Sequence, residues 1–335
     1  MKFGPVAPAD ALGAVLAHSL TLGKTRLRKG RVLDKADIDG LIAADLAEII
    51  VARLDIGDVP EDTAAARLAK ALVPDPDAAG LRHSTAFTGR VNLIATGPGV
   101  ITLDAGAITA FNSVHPMITV ATVPPWQQVG PGQLVATIKI ISYAVSDIDV
   151  AGAEEAAKGA IRLLPPVHRT AGLVVTEIPN GPDSDKGIAA TRTRVEALGL
   201  TLDDVQHVPH RVPDLAEALG RLKGDIALIL TGSATSDIHD VAPTAVISAG
   251  GTVTRFGLPV DPGNLLFLGR IGSRPVIGLP GCARSPALNG ADWVLARVAC
   301  GVDITDSDFA AMGVGGLLKE IPTRPQPRRR KPKPS

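Results

Sequence analysis

The sequence predicts an α/β protein whose residues 165–315 form a doubly wound, mostly parallel sheet. Two runs, AGLVVTEI and GDIALILTG, are apolar enough to be strands buried on both faces, as the strands of parallel sheets are. Three further runs, VQHVP, GTVTRFGLPV and RPVIGLP, are expected to extend the same sheet. Helix-like segments alternate with these strands, which indicates a βαβ arrangement. The helices are expected at 184–199, 213–223, 241–250 and about 284–300.

Residues 1–83 are expected to form a mixed α+β accessory region. A turn, a helix and a strand are predicted for 27–54, with Asp37 as the cap of the helix and a β-branched strand from Glu48 to Leu54. An Ala-rich amphipathic helix is predicted for 62–73, and the VPDPDAAG loop ends it.

A small β-rich domain, antiparallel or barrel-like, is predicted for residues 84–150. Its short β-rich runs are separated by Gly/Pro turns such as TGPG (96–99) and GPG (130–132). Residues 151–164 are expected to form an Ala-rich helix that ends at the two prolines after Leu164.

Composition excludes some classes of function. Aromatic residues make up only 3% of the chain, which argues against a stacking surface for single-stranded nucleic acid. The net charge is zero, but the last twelve residues carry six Lys and Arg and no acid, so the rest carries zero minus six, about −6. No nucleic-acid partner is therefore expected. The basic, Pro-rich tail 322–335 is expected to be disordered and dispensable for folding.

The two cysteines, Cys282 and Cys300, match no metal-ligand spacing and no disulfide framework. Cys300 is expected in the core, and Cys282 is either a small turn residue or a reactive thiol at a helix start. No apolar run reaches the length of a membrane span, and no signal-peptide pattern begins the chain. A cytoplasmic protein without a membrane partner is therefore expected.

Polar sequence follows the strong strand that ends near residue 230, in the run LTGSATSDIHD (230–240). Gly232 lets backbone N–H groups approach an anion, and the hydroxyls of Thr231, Ser233 and Ser236 can donate to phosphate. Asp237 and Asp240 repel phosphate directly but can hold Mg²⁺ that bridges to it. The alternative is a plain polar loop in which Asp240 caps the next helix. His239, between the two acids, bonds phosphate or faces solvent.

Two other strand ends carry similar signals. In IGLPGCARS (277–285), Pro280 and Gly281 predict a tight turn, Ser285 is expected at a positive helix end, and Arg284 can add a charge-assisted contact. The alternative is an ordinary helix start with a Ser cap. In GLPVDPGNLLFLGR (257–270), the residues Asp261, Gly263 and Asn264 predict a turn, which alone is only a β-turn. In a doubly wound sheet these three segments would meet beyond the carboxyl ends of the strands.

Together, LTGSATSDIHDVAPTAV and LPVDPGNLLFLGRIGSRPVIGLPGCARS resemble the molybdopterin-binding domain shared by molybdopterin adenylyltransferases and molybdopterin molybdotransferases. The resemblance covers about residues 170–300. The runs at 10–20 and 28–53 resemble shortened accessory domains of the molybdotransferases. The insert from TAFTGRVNLIA to QLVATIKIISYAV resembles a subgroup often fused to a nucleotidyltransferase.

The resemblance implies a protein of molybdenum cofactor biosynthesis that binds molybdopterin and Mg²⁺ and, if it acts as a molybdotransferase, molybdate. The reaction it implies is molybdate insertion into adenylylated molybdopterin. In that reaction Asp237 and Asp240 would hold Mg²⁺, residues 231–233 with Ser285 would cradle phosphate, and Arg284 would attract molybdate. A molybdopterin nucleotidyltransferase or a molybdoenzyme would be the partner, and the chain would form a homo-oligomer.

The sequence also departs from the family pattern. Ser233 replaces the second loop glycine, and Asn264 with Leu265 replaces a Lys-Pro pair. Cys282 with Ala283 replaces Asn-Pro. His210 lies near an acidic position of the adenylyltransferases, with a surface role as its alternative, and Glu177 lies at the Thr-Gly-Asp-Glu turn of the molybdotransferases. These departures keep open a non-catalytic molybdopterin carrier, and a third option is an interaction module without a ligand.

Overall fold

The computed structural model describes residues 1–318 and divides into two compact units. The first comprises Met1–Gly97 with Ile101–Leu164, and the second comprises Pro98–Val100 with the chain from Pro165. The division of residues 1–150 at residue 83 stays a prediction. The tail 322–335, expected to be disordered, lies outside the described residues. Within those residues, no helix is long and apolar enough to cross a membrane.

The first unit is built from short strands in several small sheets, with four α-helices. The elements are β1 (Lys2–Val6), β2 (Val15–Leu16), β3 (Leu20–Leu22), β4 (Thr25–Leu27), α1 (Lys35–Ala43), β5 (Ile49–Arg53), β6 (Asp58–Pro60), α2 (Glu61–Leu72), β7 (Leu81–His83), β8 (Arg90–Ala95), β9 (Gly99–Leu103), α3 (Ala105–Val114), β10 (Ile118–Thr122), β11 (Gln128–Val129), β12 (Leu134–Ile140), β13 (Ala144–Ser146), α4 (Asp147–Ala156) and β14 (Ile161–Leu164).

The largest sheet of this unit is four-stranded and antiparallel, in the order β10-β12-β8-β7, and it packs its apolar side chains against α2, α3 and α4. The other sheets have the orders β1-β5-β2, β11-β9-β14, β13-β6 and β3-β4.

Two boundaries in this unit differ from those expected. The cap of α1 is Asp34, whose carboxylate accepts from Asp37 N at 2.9 Å, while the Asp37 carboxylate accepts from Asp34 N at 3.2 Å. Asp37 is thus the third residue of a capping box and not the cap. The helix expected over 151–164 ends at Ala156, because Gly159 turns the chain with φ 68° and a strand follows.

The second unit contains a mixed six-stranded sheet in the order β16-β15-β17-β20-β19-β18. The three pairs from β16 to β20 are parallel, and β19 pairs antiparallel with both β20 and β18. An α/β unit with a largely parallel sheet, as expected, is therefore confirmed. Its elements are β15 (Thr170–Glu177), α5 (Ser184–Glu196), β16 (Thr201–Pro209), α6 (Val212–Arg221), β17 (Ile226–Leu230), α7 (Val241–Ser248), β18 (Thr252–Phe256), β19 (Phe267–Ile271), β20 (Arg274–Leu279), α8 (Gly290–Ala299) and α9 (Asp306–Ala311).

The core of this unit forms because its central strands are apolar on both faces. All five residues of β17 are buried, as is Ala171–Thr176 in β15. One face of the sheet packs against α6 and α7, where Val174 and Ile229 contact a cluster that includes Leu215 and Val246. On β20, Gly278 leaves the space that the Phe267 ring fills, since a Cβ there would lie 1.9 Å from a ring carbon.

The helix expected to start near residue 284 starts instead at Gly290. Asn289 is its cap and forms a capping box with Asp292, so residues 281–284 are a separate short 3-10 helix. The positions of β19 and α3 were not anticipated from the sequence pattern.

Candidate functional site

The register of the sheet brings the carboxyl ends of its parallel strands to one edge. Val175 of β15 is paired with both His207 of β16 and Leu230 of β17, and Leu230 is paired with Leu279 of β20. The next two strands along the chain, β16 and β17, pair with β15 on opposite sides. The direction in which strands are added to the sheet therefore reverses between β15 and β17, and α/β sheets have a ligand-binding crevice at such a point.

The segments 231–240 and 280–285 leave this edge as neighbours. The loop 257–266 lies at the same edge, because the end of β18 and the start of β19 are paired there: Phe256 is paired with Phe267, and Phe267 with Gly278. The three polar segments singled out in the sequence thus share one sheet edge.

Gly232 packs tightly against the end of β15. Its N–H donates to Thr176 Oγ1 at 3.0 Å, and a Cβ at this position would lie 2.7 Å from the Thr176 carbonyl oxygen. Because that neighbour is backbone, it cannot move aside as a side chain could. The position needs glycine for this close approach, which is one of the roles that glycine has in phosphate-binding loops.

The loop after Gly232 presents backbone donors. Within residues 1–318, the N–H groups of Ser233, Ala234 and Thr235 have no hydrogen-bond acceptor. Consecutive N–H groups in a turn can form a concave anion site where they converge. Two of the hydroxyls expected to bind phosphate are used inside the loop instead. Thr231 Oγ1 donates to Ser233 O at 2.5 Å, and Ser236 Oγ donates to Ala234 O at 3.4 Å.

The carboxylates of Asp237 and Asp240 shape the same loop. Asp240 is the cap of α7: Oδ1 accepts from Val241 N at 2.7 Å, and Oδ2 accepts from Ser236 N at 3.0 Å. Asp237 Oδ1 accepts from the N–H of the exposed His239 at 2.8 Å. The helix-capping alternative for Asp240 is therefore seen directly.

Residues 1–318 contain no group of three or more His, Cys, Asp or Glu arranged to hold a metal ion. Mg²⁺ commonly takes one or two carboxylates and completes its shell with water and phosphate oxygens. Asp237 and Asp240 alone do not make an all-protein metal cage, so an ion held by them would need oxygen atoms of a ligand and of water for the rest of its shell.

Arg284 links two of the segments. Its guanidinium donates to Thr231 O at 2.9 Å and to Asp183 O at 3.0 Å. The side chain lies against Gly187 of α5, where a Cβ would come 3.0 Å from Arg284 Nη1. Burial lowers the pKa of this guanidinium from its usual value, although its charge is kept at neutral pH. Arg284 joins the loops around the edge of the sheet.

Ser285 does not begin a helix, which corrects the expectation for this residue. α8 starts only at Gly290, and Ser285 Oγ accepts from Ala287 N at 3.3 Å in a local turn. Pro280 is buried and Gly281 is exposed, with open space around its Cα. The segment is fixed by Arg194, a buried residue of α5 that sequence reasoning did not find. Arg194 donates to the carbonyls of Ala283, Ser285 and Ala287 and pairs with Asp292.

The turn at 261–264 is held mainly by backbone contacts. Asp261 N donates to Gly316 O, and Asn264 Nδ2 donates to Leu258 O at 3.4 Å. A Cβ at Gly263 would lie 2.7 Å from Gly290 N, so this turn packs against the start of α8. These residues lie at the shared edge, and among the described residues their side chains make no hydrogen bond to the loop 231–240.

Two histidines lie at the end of β16. Gly232 donates to the hydroxyl of Thr176, a residue only 1% exposed, and that hydroxyl shares a 2.8 Å hydrogen bond with His210 Nδ1. His207 Nδ1 lies 2.9 Å from Glu177 Oε1. Neither Thr176 nor His207 was singled out from the sequence, because their partners lie on other strands.

The two cysteines lie in different environments. Cys300 is buried, and desolvation raises the pKa of its thiol to about 11, so it is protonated at neutral pH and unreactive. This agrees with the expectation of a core residue. Cys282 is half-buried in the 3-10 helix.

Comparison with known proteins gives limited results. A family model described as a domain of unknown function (DUF8806) matches residues 5–53. No curated protein matches the chain significantly.

Solved structures with partial likeness include two of a molybdopterin biosynthesis MoeA protein from Pyrococcus horikoshii. The first has 12% identity, a TM-score of 0.32, and coverage of 90% of this chain and 75% of that chain. The second has 11% identity, a TM-score of 0.25, and coverage of 90% and 76%. A molybdenum cofactor biosynthesis protein from Pyrococcus furiosus has 12% identity, a TM-score of 0.23, and coverage of 95% of this chain and 65% of that chain. TM-scores this low establish neither a shared fold nor a shared function.

Proposed function

We propose that this chain binds molybdopterin at the carboxyl edge of its six-stranded sheet and serves molybdenum cofactor biosynthesis as a molybdotransferase-like protein. One observation supports this above all: the three segments that resemble the family's binding site leave the same sheet edge, beside consecutive backbone N–H groups at 233–235. The proposal includes the doubly wound arrangement of the molybdopterin-binding fold and a cytoplasmic, homo-oligomeric protein.

In this proposal the phosphate of molybdopterin binds the N–H groups of Ser233, Ala234 and Thr235. The exposed Ser233 hydroxyl can add a further donor, since no described residue accepts from it. Gly232 packs against the end of β15 and so fixes the position at which the loop begins. Arg284 donates a hydrogen bond to the carbonyl oxygen of Thr231, the first residue of the loop. Fixed donors of this kind bind an anion with little rearrangement of the protein.

Asp237 and Asp240 would hold Mg²⁺ together with the ligand's phosphate oxygens. When bound, the ion would polarise the phosphoanhydride of adenylylated molybdopterin. Nη1 and Nη2 of Arg284 already donate to carbonyl oxygens of the protein. Arg284 would therefore attract molybdate by its positive charge and not through these two bonds. A molybdopterin nucleotidyltransferase or a molybdoenzyme is the proposed partner.

Calorimetric titration of molybdopterin into the purified protein tests the binding proposal. Ser233→Asp places a carboxylate beside the proposed phosphate site, so it should weaken binding at least tenfold by charge repulsion. Ser273→Asp is the matched control, because Ser273 is an exposed residue of the β19–β20 turn at the opposite sheet edge. The proposal fails if the wild-type chain does not bind, or if the two variants weaken binding equally.

Turnover is tested separately with adenylylated molybdopterin, molybdate and Mg²⁺. Release of AMP coupled to molybdenum insertion is the expected result. Binding without release of AMP would contradict the molybdotransferase activity and leave the carrier role.

A further inference from the structure

A groove of about 400 Å³ lies at the ends of β15 and β16, beside the loop 231–240 that is proposed to bind phosphate. Its lining residues are Glu177, Ile178, Pro179, His207, Val208 and Pro209. The groove is shallow and mostly open to solvent, so a flat heterocycle would lie along its floor and would not be enclosed.

Glu177 supplies the groove with a carboxylate that can accept hydrogen bonds. Its Oε1 accepts from Ser184 Oγ at 3.1 Å and shares a 2.9 Å hydrogen bond with His207 Nδ1. These two bonds, that of His207 first, lower the pKa of the Glu177 carboxyl from its usual value, so the group is ionised at neutral pH. Within the described chain Oε2 has no hydrogen-bond donor, and it is left for a ligand.

Apart from Glu177 and His207, the lining residues are apolar. Ile178 and Pro179 directly follow the end of β15, and Val208 and Pro209 are the last two residues of β16. A flat ring lying on these side chains buries apolar surface, while its polar edge can reach the carboxylate. A carboxylate oxygen has two acceptor sites, so Oε2 alone can accept from two adjacent N–H donors on one edge of a ligand.

We propose that this groove binds the pyrimidinone edge of a pterin ring, with Glu177 Oε2 accepting from the ring N–H and the adjacent amino group. The inference rests on the proposed function and assigns the ring-recognising half of the same site. His207 is a positioning residue here, because its bond to Oε1 fixes the carboxylate and turns Oε2 toward the ligand.

The spacing of the two half-sites supports one ligand that reaches both. β16 is separated from β17 only by β15, and adjacent strands are about 4.8 Å apart, so the groove and the loop at 233–235 lie on the order of 10 Å from each other. That span is comparable to the length of a tricyclic pterin with its phosphate.

The test uses two probes, molybdopterin and a simple pterin without phosphate, 6-hydroxymethylpterin. Glu177→Gln removes the charge but keeps the shape, and it should weaken binding of both probes on the order of tenfold. Glu196→Gln, at the exposed far end of α5, is the matched control and should change neither affinity. Ser233→Asp should weaken binding of molybdopterin only.

The results separate this inference from the proposed function. If the wild-type chain binds molybdopterin but Glu177→Gln and Glu177→Leu leave its affinity unchanged, the groove assignment is overturned and the proposed function stands. If the wild-type chain binds 6-hydroxymethylpterin in a Glu177-dependent way but not molybdopterin, the groove stands and the proposed function is overturned. Failure to bind either probe overturns both.

Discussion

Arg284 donates to the carbonyl oxygen of Thr231 at 2.9 Å and so ties the segment after β20 to the loop after β17. A second bond, to Asp183 O at 3.0 Å, extends the link to the start of α5. One side chain thus holds three loops around the crevice at which the order of strands reverses. The three loops of the candidate site are therefore linked to each other by hydrogen bonds of the protein itself.

Replacing Arg284 by Met should destabilise the protein by about 2 kcal/mol, because two carbonyls lose a charged donor in a half-buried place. Chemical denaturation measures this loss. Arg192→Met is the control, since Arg192 is exposed and its single bond to Leu202 O is 3.4 Å long. Equal stability of the two variants would show that the Arg284 link contributes nothing.

Gly232→Ala should destabilise the protein by roughly 1–3 kcal/mol, because its Cβ would meet the backbone of Thr176 at 2.7 Å. Gly281→Ala, at the neighbouring strand end, has open space around it and should be close to neutral. Thermal unfolding of the pair decides the matter. A fully stable Gly232→Ala variant would mean that the loop does not pack on β15 as described.

The capping role of Asp240 can be separated by mutation from its proposed role in holding Mg²⁺. Asp240→Ala should lower stability by about 1–2 kcal/mol because it removes both acceptors, whereas Asp240→Asn keeps one of them and should lose less. If Asp240 also holds Mg²⁺, the wild-type affinity for molybdopterin should rise on addition of Mg²⁺, and that of Asp240→Asn should not. Asp203→Asn, at the opposite sheet edge, serves as control. An undiminished Mg²⁺ effect in Asp240→Asn would leave Asp240 as a cap alone.

His83 should make the stability of the protein depend on pH. Its Nε2 is buried without a partner among the described residues, and desolvation lowers the pKa of the ring below the usual value of 6.5. The unfolded chain therefore binds the proton more readily than the folded one. The stability contributed by neutral His83 is complete above pH 6.5 and is lost as the pH falls below it.

Urea unfolding between pH 7.5 and pH 5 should consequently show a smaller loss of stability for His83→Gln than for the wild-type protein. Other titrating groups are common to both proteins and cancel in the difference. Identical pH profiles would contradict the burial of this ring.

Much of the second unit could be predicted because its physical causes are local. β17 is apolar along its whole length, which predicts a strand buried on both faces, and Gly and polar residues directly after it mark its carboxyl end. The start of α8 was also open to prediction, since Asn289 and Asp292 have the spacing of a capping box. Ser285, four residues before Asn289, is also a residue type that caps helices, and it indicated too early a start for α8.

The contacts inside the candidate site could not be predicted in the same way. Thr176, Arg194 and His207 take their roles from partners on other strands or segments, and no pattern along the chain records such a partner. The hydroxyls of Thr231 and Ser236 were expected to face a ligand, yet they bond to carbonyls of their own loop. Short polar side chains readily bond to nearby backbone, so a hydroxyl-rich sequence alone does not distinguish the two arrangements.

A crystal structure of the complex would show whether the carboxyl edge of the six-stranded sheet binds molybdopterin. We expect the phosphate within hydrogen-bonding distance of the N–H groups of Ser233, Ala234 and Thr235, which have no acceptor in the described chain. Phosphate bound at any other place, with these three N–H groups still without an acceptor, would contradict it.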